Sequence, residues 1–95
     1  MMGSATATVQ VDDARMRVTE WTLEPDADTG FHTHGMDYVV VPMTSGTLTI
    51  ADADGNETTS QLVAGQAYSR AAGVAHNVIN RSDAKIVFVE VESKA

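Results

Sequence analysis

The sequence predicts an all-β domain, a sandwich or barrel of short strands. Three observations lead there. Segments rich in Val, Ile, Thr and aromatic residues alternate with turn formers along the whole chain. No segment repeats its apolar residues at the helical period of about 3.6. Runs such as residues 85–92 (KIVFVEVE) alternate apolar and polar residues with period two, the pattern of a half-buried strand.

Taken in order, residues 1–7 (MMGSATA) are small or polar and are expected to be a flexible N-terminus ahead of a single domain over residues 8–95. Residues 15–23 (RMRVTEWTL) are the first expected strand, which stops before Pro25. Residues 24–30 (EPDADTG) are turn formers. Residues 31–34 (FHTH) are a short extended piece, and residues 37–43 (DYVVVPM) are strand-like. Pro42 has no N–H for a ladder, which places it at an edge, a bulge or a strand end. Residues 47–53 and 57–63 form a hairpin about Asp54-Gly55-Asn56, because Gly tolerates the positive φ of such turns. Gly65 opens a short strand through Arg70, residues 77–79 are extended, Ser82-Asp83 is a turn, and residues 85–92 close the chain. The expected total is eight strands, with no linker, repeat or low-complexity segment.

Composition narrows the function. The chain has 95 residues, a formal net charge of -7 and no cysteine. The acidic field opposes nucleic-acid phosphates and anionic membrane surfaces, so neither is an expected partner. Without cysteine there is no disulfide, thiolate metal site or cysteine nucleophile. No apolar run has the length of a membrane span, and the N-terminus lacks the basic and apolar regions of a signal peptide. A cytoplasmic location is the expectation.

Only three histidines occur. His32 and His34 are two apart, so on a strand they share one face at a spacing of about 6–7 Å. Imidazoles so placed can converge on one ion. The third, His76, lies in GQAYSRAAGVAHNVIN, residues 65–80.

These two stretches resemble the two motifs of the cupin family. The first motif is a Gly, His-x-His, three or four residues, a Glu, six residues and a Gly. The second is a Gly, five residues, Pro-x-Gly, two residues, a His, three residues and an Asn. Gly65, Gly73, His76 and Asn80 fall in register with the second motif, with Ala71 in place of its Pro. His32, His34 and Gly46 match the first, and its Glu position, counted back from Gly46, is Val39. The chain is also similar to short cupins with an Asp-Tyr-Val-Val-Val-Pro run and a Phe-Val-Glu-Val end, some of them associated with β-alanine degradation. The resemblance covers about residues 15–92. It implies a double-stranded β-helix, or jelly roll, that gathers His32, His34 and His76 around a divalent ion such as Fe, Zn, Ni or Mn. It also implies a homodimer and a small-molecule ligand.

Val39 cannot ligate, and Asp37 carries the nearest carboxylate in sequence. Asp37 has three readings: a turn former that accepts a backbone N–H, a hydrogen-bond partner of a ligating His, or a fourth ligand. Three neutral imidazoles would leave the ion its full charge and open positions, which favours anionic ligands. Met36, Tyr38, Met43, Tyr68, Trp21 and Phe88 are candidate pocket walls that serve equally as core. Arg17 and Arg70 are candidates to hold a substrate carboxylate, or are solvated strand residues. Glu90 is in phase with Ile86 and Phe88. If that face is internal, it is a buried carboxyl with a raised pKa.

The leading reading is a metalloenzyme with dioxygenase-like or Lewis-acid chemistry on a small carboxylate or carbonyl metabolite. The alternatives are a non-catalytic binding or sensing module, and a metal-free isomerase or structural dimer.

Overall fold

The computed structural model describes residues 3–94. It holds nine strands and no helix among them: β1 (Thr6–Asp12), β2 (Met16–Leu23), β3 (His32–Thr33), β4 (Tyr38–Pro42), β5 (Gly46–Ala51), β6 (Glu57–Leu62), β7 (Tyr68–Arg70), β8 (Ala75–Ile79) and β9 (Ile86–Ser93). They form a five-stranded sheet in the order β1-β2-β9-β4-β7 and a four-stranded sheet in the order β3-β8-β5-β6. Every ladder is antiparallel. This is the double-stranded β-helix that the sequence implies.

The core lies between the sheets. Leu23, Tyr38, Val40, Leu48, Leu62, Ile86 and Phe88 are all buried there. Each large apolar side chain so buried contributes about 1.5–3 kcal/mol. In β9, Ile86, Phe88 and Glu90 face inward in alternation. Because β9 pairs with β2 on one side and β4 on the other, two ladders hold its register. Glu90 therefore shares a face with apolar residues.

The sequence misses β1. All seven of its residues are exposed, so it shows no inward stripe. Backbone pairing to β2 holds it, with a register shift between Val9 and Val11. Thr6 and Ala7, assigned above to a flexible N-terminus, pair with Thr22 and Trp21. Met1 and Met2 lie outside the described residues. The other expected strands are present with shifted ends. The strand opened at Gly65 starts only at Tyr68, because Gly65 (φ 82°) and Gln66 complete a turn after β6. Pro42 ends β4, two residues beyond the last pairing with β7.

Asn80 closes the loop after β8, as the sequence suggests. It is fully buried. Its Nδ2 donates to the carbonyls of Leu23 (2.9 Å) and Ala84 (2.8 Å). Its Oδ1 accepts from the Ser82 N–H (3.0 Å) and the Ser82 hydroxyl (2.6 Å).

Candidate metal centre

Pairing of β3 with β8 sets His32 directly opposite His76. The two motifs, more than forty residues apart in sequence, thus meet as neighbours in one ladder. His34 follows β3 and is held by its backbone. Its N–H donates to the Val74 carbonyl (2.8 Å), and its carbonyl accepts the Gly73 N–H (2.7 Å). Gly73 makes that turn at φ 98°, a conformation open to glycine.

The three Nε2 atoms converge. That of His34 lies 3.0 Å from that of His32 and 3.2 Å from that of His76. The rings stand nearly perpendicular, at 75–89° for His76 against the other two and 76° for His32 against His34. For ion–nitrogen bonds near 2.0–2.1 Å, adjacent donors lie about 3.0 Å apart in an octahedron and about 3.4 Å in a tetrahedron. The observed separations fit one small divalent ion. His32 Nδ1 lies 2.8 Å from the Gly30 carbonyl, which can only accept. The proton is therefore on Nδ1, and the Nε2 lone pair points into the site.

Electrostatics suits the same role. Burial, reinforced by the His32 charge, pushes His34 down to about 4. Burial, with His32 and His34, pushes His76 to about 4 as well. Both rings are neutral donors at pH 7.

The two candidate carboxylates are placed differently. Asp37 is exposed, and its Oδ1 accepts the Ala72 N–H (2.8 Å), as a turn former does. Val39 is not the residue that faces the histidines. It points outward and is 38% exposed. Its neighbour Tyr38 points in and stacks on the His34 ring, 3.9 Å away at 20°. Tyr38 has the same strand parity as His34, so the inward position falls on it, while the spacing counted back from Gly46 lands one residue off, on Val39. Burial, then the Glu90 charge, raises the Tyr38 hydroxyl to about 12, and it stays neutral.

Glu90 supplies the nearby carboxyl instead. It is 8% exposed. Oε1 accepts from Trp21 Nε1 (3.1 Å), and Oε2 lies 4.0 Å from His34 Nε2. Burial, then Glu92, raises Glu90 to about 7, while Trp21 opposes the shift. With His34 depressed to about 4, the contact at mildly acidic pH sets a neutral imidazole against a carboxyl. It is not an ion pair.

Two cavities reach the centre. An inner one of about 280 Å³ lies between the sheets and is lined by Tyr38, Tyr68, Arg70, His76, Phe88 and Glu90 among others. An outer one of about 440 Å³ is lined by Arg17, Trp21, His32, His34 and Glu90 among others. Glu90 borders both. Arg17 is paired with Asp12 at 3.5 Å. Met36 is half-buried and lines neither cavity. The hydroxyl-bearing wall of the inner cavity, Thr58, Thr59 and Ser60, is absent from the sequence reading. The strand alternation of ETTSQL carried no sign of which sheet face encloses space.

The cupin domain family model matches residues 19–92. The chain is a cupin. Across 90 residues it is 58% identical to the β-alanine degradation protein BauB of Pseudomonas aeruginosa, covering 95% of this cupin and 94% of that relative. A crystal structure of a cupin domain from Bordetella pertussis superposes with a TM-score of 0.95 at 53% identity, over all of this cupin and 98% of that chain. The polyketide cyclase RemF of Streptomyces resistomycificus shares the fold at a TM-score of 0.74 and 18% identity, over 99% of this cupin and 70% of that chain.

Proposed function

We propose that His32, His34 and His76 hold one divalent ion, and that this cupin transforms a small carboxylate- or carbonyl-bearing molecule in its inner cavity. The observation that carries the reading is the convergence of three Nε2 atoms, that of His34 lying 3.0 Å from that of His32 and 3.2 Å from that of His76. When bound, the ion supplies Lewis acidity, or oxygen activation if it is iron.

The chain's own groups have distinct roles. The Gly30 carbonyl holds His32 in the donor tautomer. Tyr38 packs flat on His34 and orients it. Glu90 is the group placed to take or give a proton at Oε2, while Trp21 retains Oε1. The apolar walls, Val40, Leu48, Val78 and Phe88, exclude water from the cavity. The name of the Pseudomonas relative supports a place in the breakdown of small amino or carboxylic acids. We place the protein in the cytoplasm as a homodimer. The exposed β1, with Val9 at 56% and Val11 at 41%, is an edge that a second copy can cover.

The test is conversion by metal-stripped and reloaded protein. Reloading with ferrous ion or zinc should restore turnover, read as oxygen uptake or product formation, with small carboxylates and dicarbonyl compounds. Saturable binding without product in the reloaded protein would instead establish a binding or sensing module.

A further inference from the structure

Three of the six Lys and Arg side chains, Arg15, Arg70 and Lys85, are in no ion pair among the described residues. Arg17 pairs with Asp12, Arg81 with Glu57 at 2.6 Å, and Lys94 with Asp12. Among the described residues, no ion pair involves Arg70, although the chain carries a net charge of -7. Its guanidinium carbon lies 4.6 Å from the centroid of the Tyr68 ring, and Nη1 donates to the Ser69 carbonyl at 2.8 Å. The remaining guanidinium donors have no partner among the described residues. The flat ring and the backbone carbonyl hold the group in place without neutralising it.

Arg70 is also the one Lys or Arg that lines the inner cavity. The other titratable groups there are His76, Glu90, Tyr38 and Tyr68, and the remaining polar wall is Thr58, Thr59 and Ser60. The cavity thus has a fixed cation on Arg70 and a metal-ligand histidine in the same chamber. Its volume of about 280 Å³ lies at the small end for ligand pockets, which suits a small molecule.

We propose that Arg70 is the specificity-determining residue of the inner cavity, and that it selects a short monocarboxylate. It binds the carboxylate so that the molecule's other end lies at the histidine centre. This rests on the small-molecule reading above and adds the ligand class and the residue that recognises it. A planar guanidinium with free donors matches a carboxylate in bidentate fashion, and a neutral amide cannot replace that charge.

Two probes of nearly equal size separate the charge, 3-hydroxypropanoate and 3-hydroxypropanamide, with azide as a ligand that reaches only the metal. Calorimetry on the cobalt(II)-loaded protein should show the acid binding at least tenfold more tightly than the amide. Arg70→Gln should weaken the acid by tenfold or more and leave amide and azide within about twofold. Arg70→Lys should recover part of the loss. Equal affinity for acid and amide, no binding of the acid, or an unchanged acid affinity in Arg70→Gln would overturn the proposal. NMR of metal-free protein keeps the two readings separate. If cobalt does not bind, the metal reading fails, yet the Arg70 Nε–H resonance should still shift with the acid and not with the amide. A resonance that ignores both overturns the Arg70 assignment on its own.

Discussion

The indole N–H of Trp21 donates to Oε1 of Glu90 across 3.1 Å, and so joins β2 to β9 at the edge of the histidine cluster. The bond joins two side chains 69 residues apart in sequence. It fixes one carboxyl oxygen and leaves the other facing His34. A carboxyl held this way among apolar neighbours should report its burial through pH.

In metal-free protein, Glu90 is raised from 4.5 to about 7. Between those values the folded state holds a proton that the unfolded state has lost. The contribution of Glu90 is therefore full below about pH 4.5 and is lost as pH rises through about 7. Glu90→Gln removes this loss. Relative to wild type, the variant should gain on the order of 2 kcal/mol between pH 5 and pH 8. His34 and His76 act in the opposite sense, since their depressed values make stability fall as pH drops from 6.5 through about 4. They are common to both proteins and largely cancel in the difference. Urea melts at the two pH values give the answer, and a difference that does not change with pH would contradict the burial.

Asn80 makes four hydrogen bonds from a fully buried position. Asn80→Ala leaves the Leu23 and Ala84 carbonyls short of donors and opens a cavity. It should cost roughly 2–4 kcal/mol in chemical denaturation. A loss under about 0.5 kcal/mol would show that solvent replaces the clasp.

Asp37 is engaged with the Ala72 N–H and is not part of the histidine group. Asp37→Ala should leave metal affinity within about threefold and lower stability by about 1 kcal/mol. Competition against a chromogenic chelator measures the first quantity. A tenfold loss of affinity would make Asp37 a ligand.

The residue pattern shows why some of this was legible in the chain and some was not. The spacing of His32, His34 and His76 against Gly73 and Asn80 carries the site, because each glycine or asparagine meets a fixed backbone need at its own position. Alternation carries β2, β4 and β9, whose buried residues lie on one face, while in β5 the adjacent Leu48 and Thr49 are both buried. It fails for β1, which buries neither face. Counting back from Gly46 points to Val39, whereas parity counted from His34 points to Tyr38, the residue that faces inward. The inward direction of Glu90 depends on pairing with β2 and β4, a long-range relation that no local window contains. Arg17 and Arg70 look alike in sequence. Their contacts distinguish them: Arg17 pairs with Asp12, and Arg70 lies against the Tyr68 ring.

The central claim is one ion on three histidines. Elemental analysis of untagged protein, purified without a nickel column, tests it most directly. The account predicts about one divalent ion per chain in wild type and a large loss in His76→Ala, with circular dichroism confirming that the variant is folded. Substoichiometric metal in wild type, together with no less in His76→Ala, would contradict it.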